Sequence, residues 1–311
     1  MAIVWLIAGF ILLFFSGDWL VKGSVALSRH FKISTLVIGL TVVAFGTSAP
    51  ELFVSVKAAF NGVPDLAIGN VVGSNIANIG LILGLVAMIM PIPTRNRTVW
   101  FDWTIMIVAT VLLMFFAYNG TIGFLEGIVF LVSLGLYLIW SVFKARRKSQ
   151  SSEEVFLSAD ISIWKALFWV LVSVVGLYYG AEWLVRGATT LALSWGVSDR
   201  IIGISVVAFG TSVPELATSM MALYRKENDI SVGNIIGSNI FNIWAVLGVT
   251  AVISPLQVND KEMLSQDLLI SIGFAVLLLL FMLPLSRGVL SRWKGAILFL
   301  LYILYIYILF A

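Results

Sequence analysis

Long apolar runs alternate with short polar breaks along almost the whole chain. Runs of about 17 to 25 apolar residues, bounded by charged residues, Pro or Gly, are long enough to cross the hydrocarbon core of a bilayer. Ten can be marked off, at 3–27, 34–60, 66–90, 101–118, 122–143, 164–193, 199–224, 230–253, 268–283 and 293–310. Between the fifth and the sixth the pattern gives way to KARRKSQSSEEVFLSAD, residues 144–160, which is polar and mixed in charge. The pattern predicts an all-α integral membrane protein: five helices in 1–143, a linker in 144–163 and five helices in 164–311.

Composition sharpens this reading. Of the 311 residues, 60% are hydrophobic and only 11% are charged. A soluble domain carries roughly a quarter charged residues, so the solvent here is lipid. The first run begins next to Met1 without a basic lead-in and contains Asp18, which suits a retained helix better than a cleaved signal. With no cysteine there is no disulfide, thiolate metal site or cysteine nucleophile. The net charge of +3 is small and sits in the breaks, so it signals topology and gives no reason to expect nucleic acid as a partner.

The two halves are repeats. Laying Gly39 on Gly203 carries the register without a gap to Gly84 on Gly248, and about half the positions match. GLTVVAFGTSAPEL pairs with GISVVAFGTSVPEL, and GNVVGSNIANI with GNIIGSNIFNI. Five helices is an odd number, so the second copy must enter the membrane inverted. With both termini outside, the cytoplasmic side collects thirteen basic residues, among them Arg29, Lys32, Lys144, Arg225 and Arg292. The outer side keeps only Lys57, Arg186, Arg200 and Lys261. That bias sets the orientation in a cell membrane, with the linker cytoplasmic. Inverted repeats with matching broken helices place a transport site where the copies meet.

Glu51 and Glu215 fall at equivalent places inside otherwise apolar runs. An ionised carboxylate at that depth costs about 3 kcal/mol or more unless cations or water surround it. Pro50 and Pro214 lack an N–H, so the second and seventh helices break, and the carbonyls of Gly46 and Gly210 lose a helical partner. Carbonyls around Ala44 and Ala208 are expected to be loosened by the same break. Thr47 and Ser48 lie on the face of Glu51, as Thr211 and Ser212 do on that of Glu215. In the next helix of each half, Ser74 with Asn78 and Ser238 with Asn242 are spaced i, i+4 on one face, whereas Asn75 and Asn239 are offset and suited to bracing the helix crossing. Carboxylate, carbonyl, hydroxyl and amide oxygens together favour calcium or sodium over softer metals. Glycines 69, 73, 233 and 237 allow close helix approach.

GTSAPE with GNVVGSNIAN, and GTSVPE with GNIIGSNIFN, resemble the paired alpha-repeats of the cation/calcium antiporter superfamily, in its sodium/calcium exchanger branch. The resemblance covers essentially the whole chain. It implies ten transmembrane helices as two inverted five-helix repeats, and ligands from Glu51, Glu215, Thr47, Ser48, Thr211, Ser212, Ser74, Asn78 and Ser238. The carbonyls of Ala44 and Ala208 join that set, and Asn242 stands where such proteins often carry Asp. It implies sodium and calcium competing for the glutamates, with the first and sixth helices sliding to alternate access. Glu in both GTSxPE copies differs from the potassium-dependent branch, where Asp is common in the second.

Asp18 and Glu182 are followed at i+4 by Lys22 and Arg186, so surface ion pairs explain them more simply than ion binding does. His30, the single histidine, is expected in a solvated loop. No HExxH motif is present, which disfavours an intramembrane enzyme. A proton/calcium exchanger using the same glutamates, and a cation channel, are the alternatives to sodium/calcium exchange. No cofactor is expected beyond the transported ions.

Overall fold

The computed structural model describes residues 1–93, 97–151, 161–195, 208–258, 266–282 and 289–310. It is almost entirely helical. Helix α1 spans Ala2–Phe31. Helices α2 (Thr35–Thr47) and α3 (Ala49–Phe60) are a pair of apolar helices bent by 43° at a break at Ser48. Then come α4 (Pro64–Ile89), α5 (Arg97–Ala117) and α6 (Phe124–Ser151). The second half comprises α7 (Ile163–Ser194), α8 (Ala208–Thr211), α9 (Val213–Tyr224), α10 (Asn228–Ile253), α11 (Leu268–Met282) and α12 (Arg292–Phe310).

Among the described residues seven helices are long and apolar enough to cross a membrane, or eight with the bent pair counted as one span. Two expected segments are described only in part: residues 199–207, Arg200 included, lie outside the described residues, and α11 is flanked by others that do. Lys261, Arg95 and linker residues 152–160 lie outside them too, whereas α6 runs past 143 into the expected linker as far as Ser151.

Both helix breaks have the same cause. Ser48 (φ −82°, ψ 4°) and Ser212 (φ −87°, ψ 0°) each precede a helix whose second residue is proline. Proline supplies no N–H to the preceding turn, so the helix must end and restart.

The chain forms two compact units, each drawn from both halves of the sequence: residues 1–50 with 138–234, and residues 51–137 with 235–311. In the first, α1 and α7 pack antiparallel through small residues. Gly187 lies against Leu6, Gly180 against Gly9 and Leu13, and Gly176 against Leu12 and Ser16, so positions rise on one helix as they fall on the other. A Cβ on Gly233 would come within 2.6 Å of the Leu36 carbonyl oxygen, so only glycine admits the crossing of α2 with α10. Leu20, Leu27, Val37, Leu177 and Ile230 fill the interior.

The expected Asp18–Lys22 ion pair is present at 2.7 Å, but it is not a simple surface pair. Arg225, far along the sequence, also bridges Asp18, whose side chain is only 12% exposed. Arg186 instead places its guanidinium 4.7 Å from the ring centre of Trp5. His30 is corrected from loop to helix: it sits in the last turn of α1, exposed as expected, and donates from Nε2 to the Ile161 carbonyl at 2.8 Å.

In the second unit α4 packs antiparallel to α12, with Gly84 on Gly295 and Gly80 on Tyr302. Helix α10 meets α6 in the same manner, with Gly248 on Phe130 and Leu131 and Gly127 on Val252. Four two-residue strands follow the same exchange. Strand β1 (Ile92–Pro93) pairs antiparallel with β4 (Val289–Leu290), and β2 (Thr121–Ile122) with β3 (Leu256–Gln257). Two matched polar pairs brace the outer helices: Tyr137 and Tyr305 donate to Asp102 and Asp267, each at 3.1 Å. Large apolar side chains such as Phe10, Phe14, Leu136, Ile139, Leu300 and Ile308 remain exposed, as a bilayer-facing surface requires.

Candidate ion-binding site

Glu51 is the third residue of α3 and Glu215 the third of α9, and both are fully buried. The first turn of a helix offers unsatisfied N–H groups and the positive end of its dipole, which favour a carboxylate.

In the first unit a hydroxyl from one half of the sequence meets the carboxylate of the other: Ser48 Oγ donates to Glu215 Oε1 at 3.4 Å. Thr47, wholly buried, places Oγ1 3.0 Å from Asn234 Oδ1 and 3.4 Å from the Ala44 carbonyl. That carbonyl keeps a helical partner, accepting the Ser48 N–H at 3.0 Å, so the break has not freed it; a carbonyl oxygen still has a second lone pair. Asn234 Nδ2 lies 3.4 Å from the Glu215 carbonyl and 3.0 Å from Ser219 Oγ. Ser212 Oγ is buried and finds no hydrogen-bond partner among the described residues. Ala208 and Thr211 are the first and last residues of α8.

In the second unit Ser74 Oγ donates to Glu51 Oε1 at 3.5 Å. Asn70 Nδ2 lies 3.4 Å from the Glu51 carbonyl and 3.0 Å from Ser55 Oγ, repeating the Asn234 contacts at the same distances. Asn78 and Asn242 each open a π-helical turn, Asn78–Leu83 inside α4 and Asn242–Leu247 inside α10. Such turns rotate the side chains out of ordinary α register and recur at functional sites. Ser238 is buried on α10.

The expected residues are therefore divided. Ala44, Thr47, Ser48, Ala208, Thr211, Ser212 and Glu215 belong to the first unit, and Glu51, Ser74, Asn78, Ser238 and Asn242 to the second. Each unit holds one of the two buried glutamates, with hydroxyl and amide oxygens near it. Ser48 and Glu51, in different units, are only three residues apart along the chain. Asn70, Asn234, Ser55 and Ser219 escaped the motif reading, although each is identical in both copies of the repeat.

A cavity of about 280 Å³ in the first unit is lined by Lys22, Arg29, Trp169, Arg225 and Glu227, among others. Burial raises the Glu227 carboxyl above its ordinary range, Arg29 opposing the shift and Asp229 adding to it.

A family model described as sodium/calcium exchanger protein matches residues 1–143 and 165–311. The chain belongs to this family. Among exchanger relatives, MaX1 of Methanosarcina acetivorans, named a sodium/calcium exchanger, is 30% identical over 98% of this chain and 97% of its own. The inner membrane protein YrbG of Escherichia coli is 38% identical, with 88% of this chain and 87% of YrbG covered. Solved structures of the sodium-calcium exchanger NCX_Mj superpose with a TM-score of 0.83 at 34% identity, covering 97% of this chain and 96% of that one; one was obtained from material soaked with 10 mM Na+ and 10 mM Sr2+. As a member of the exchanger family this chain is a multi-pass membrane antiporter.

Proposed function

We propose that the protein exchanges sodium for calcium by alternating access, with the two ions competing for the same oxygen ligands. The observation that carries this reading is a pair of fully buried glutamates, one from each repeat, each approached by a serine hydroxyl from a neighbouring segment. Glu51 and Glu215 together bear the two charges that one calcium ion neutralises. Thr47, Ser48, Thr211, Ser212, Ser74 and Ser238, the Asn78 and Asn242 amides and the Ala44 and Ala208 carbonyls complete the donor set. Hard oxygen donors of this kind suit both ions. Both ions are cargo.

The architecture we propose is ten transmembrane helices in two inverted five-helix repeats. Antiparallel packing of α1 on α7 supports it, as does the reciprocal strand exchange of β1 with β4 and β2 with β3. Sequence charge favours both termini outside and the linker in the cytoplasm. Helices α1 and α7, mated through glycine, are the elements we expect to slide.

Radioactive calcium uptake into proteoliposomes tests this. Uptake that follows an opposing sodium gradient and ignores a protonophore supports sodium/calcium exchange. Uptake that follows a proton gradient and collapses with the protonophore would replace it with proton/calcium exchange. An ion current that does not saturate with concentration would point to a channel.

A further inference from the structure

Four asparagines cross-link α4 and α10 within the second unit, and their hydrogen bonds decide which way two candidate ligands point. The anchor is a main-chain group. Asn75 Nδ2 donates to the carbonyl of Asn239 at 3.2 Å, and because a carbonyl can only accept, the Asn75 amide has one allowed orientation. Its Oδ1 must therefore act as the acceptor for its other neighbour, and Asn242 donates Nδ2 to it at 3.1 Å. The matching contact runs the other way between the repeats: Asn78 Nδ2 donates to Asn239 Oδ1 at 3.0 Å. Asn239 in turn is oriented by donating Nδ2 to Met106 Sδ at 3.3 Å, since a thioether offers only an acceptor.

The consequence falls on the oxygens left over. With their nitrogens committed, Asn78 and Asn242 must turn Oδ1 away from Asn239 and Asn75. Both oxygens are buried, in residues at most 1% exposed, and neither has a hydrogen-bond partner among the described residues. A buried amide oxygen left without a partner loses about 1–3 kcal/mol of solvation, and a cation is the natural compensation. One such oxygen comes from each repeat, at the first residue of each matching π turn.

We propose that Asn75 and Asn239 are positioning residues for the ion site, fixing Asn242 and Asn78 with oxygen presented and nitrogen withdrawn. This rests on the exchanger reading above and adds to it a pair of side chains that touch no ion themselves. Without the brace, either ligand amide can turn about its terminal bond and offer N–H to the cation instead.

A double-mutant cycle tests the idea. Calcium KM and maximal rate are measured in sodium-loaded proteoliposomes for wild type, Asn75→Ala, Asn242→Ala and the double variant, and likewise for Asn239 with Asn78. Calcium-induced thermal shifts are recorded in parallel. Asn75→Ala is expected to raise calcium KM about threefold to tenfold, the range for one net hydrogen bond, with maximal rate changed less. In the Asn242→Ala background the same change should add nothing to KM. Full additivity would overturn the positioning role, because a brace of the helix crossing acts whatever stands at 242. Should Asn75→Ala fail to fold, Asn75→Ser serves, being too short to hold the Asn242 amide; a wild-type KM in that variant overturns the proposal. Wild type without sodium-driven uptake would instead sink the exchanger reading, and an unchanged KM in Asn242→Ala the ligand assignment, so the three failures are distinguishable.

Discussion

The two broken segments and the two first helices have diverged to very different degrees. Around Glu51 and Glu215 even the supporting contacts recur, Asn70 and Asn234 reaching the glutamate carbonyl and a serine at the same two distances. The first helices keep only their register. Asp18 on α1 holds both Lys22 and Arg225, whereas on α7 Arg186 lies over the ring of Trp5. Glu227, beside Arg225, stands where the first copy has Val63. The polar surroundings of the glutamates are written twice, and the charged fastening of Asp18 on α1 only once. Symmetry is kept in the contacts around the two glutamates and relaxed in those of the two first helices.

The strongest way to break that comparison is at the glutamates. Glu51→Gln and Glu215→Gln are each expected to abolish sodium-driven calcium uptake, and full transport by either variant would end their equivalence as ligands. Next come the supporting asparagines. Asn70→Ala and Asn234→Ala should both lower uptake at limiting calcium by about tenfold, the effect of one or two lost hydrogen bonds. Asn234→Ala should be somewhat worse, because Thr47 also contacts it; no effect from either would show that the matched geometry is incidental.

On the divergent first helices the effects shrink. Asp18→Asn should destabilise the protein by about 1–2 kcal/mol, since both of its cationic partners are about a third exposed and solvent weakens the pairing. A thermal unfolding scan would register this while uptake persists, and Glu182→Gln should leave the scan nearly unmoved. The smallest expected effect is a pH dependence. Because burial raises the Glu227 carboxyl, the folded state holds that proton more firmly than the unfolded chain does. Stability from this group is present below the ordinary carboxylate range and declines as pH rises through the raised value. Glu227→Gln should flatten that part of a melting-temperature profile; an unchanged slope would show that the group is not titrating there.

Much of the site was legible in the sequence because the duplication points at it twice. A carboxylate beside a proline in an apolar run, followed by an asparagine-rich segment and then repeated, marks the candidate residues and both helix breaks without coordinates. Residues whose role depends on another helix could not be read that way. Periodicity paired Asp18 with Lys22, four residues on, but nothing local announces Arg225. Asp102 with Tyr137, and Asp267 with Tyr305, meet only because α5 packs near α6 and α11 near α12. The asparagine cluster was half visible: Asn75 and Asn239 were seen to be offset from the candidate ligand face, but the direction of each amide follows only from a main-chain carbonyl and a sulfur in space. His30 was misplaced because a basic, polar helix end reads like a loop.

The tiny strands join the two halves of the chain. Each half of the chain closes its short edge only with the other half, β1 with β4 and β3 with β2. Either half alone would leave its two short strands unpaired, and the other half closes them as a handshake. Carrying both copies in one chain gives every short strand its partner within the same molecule.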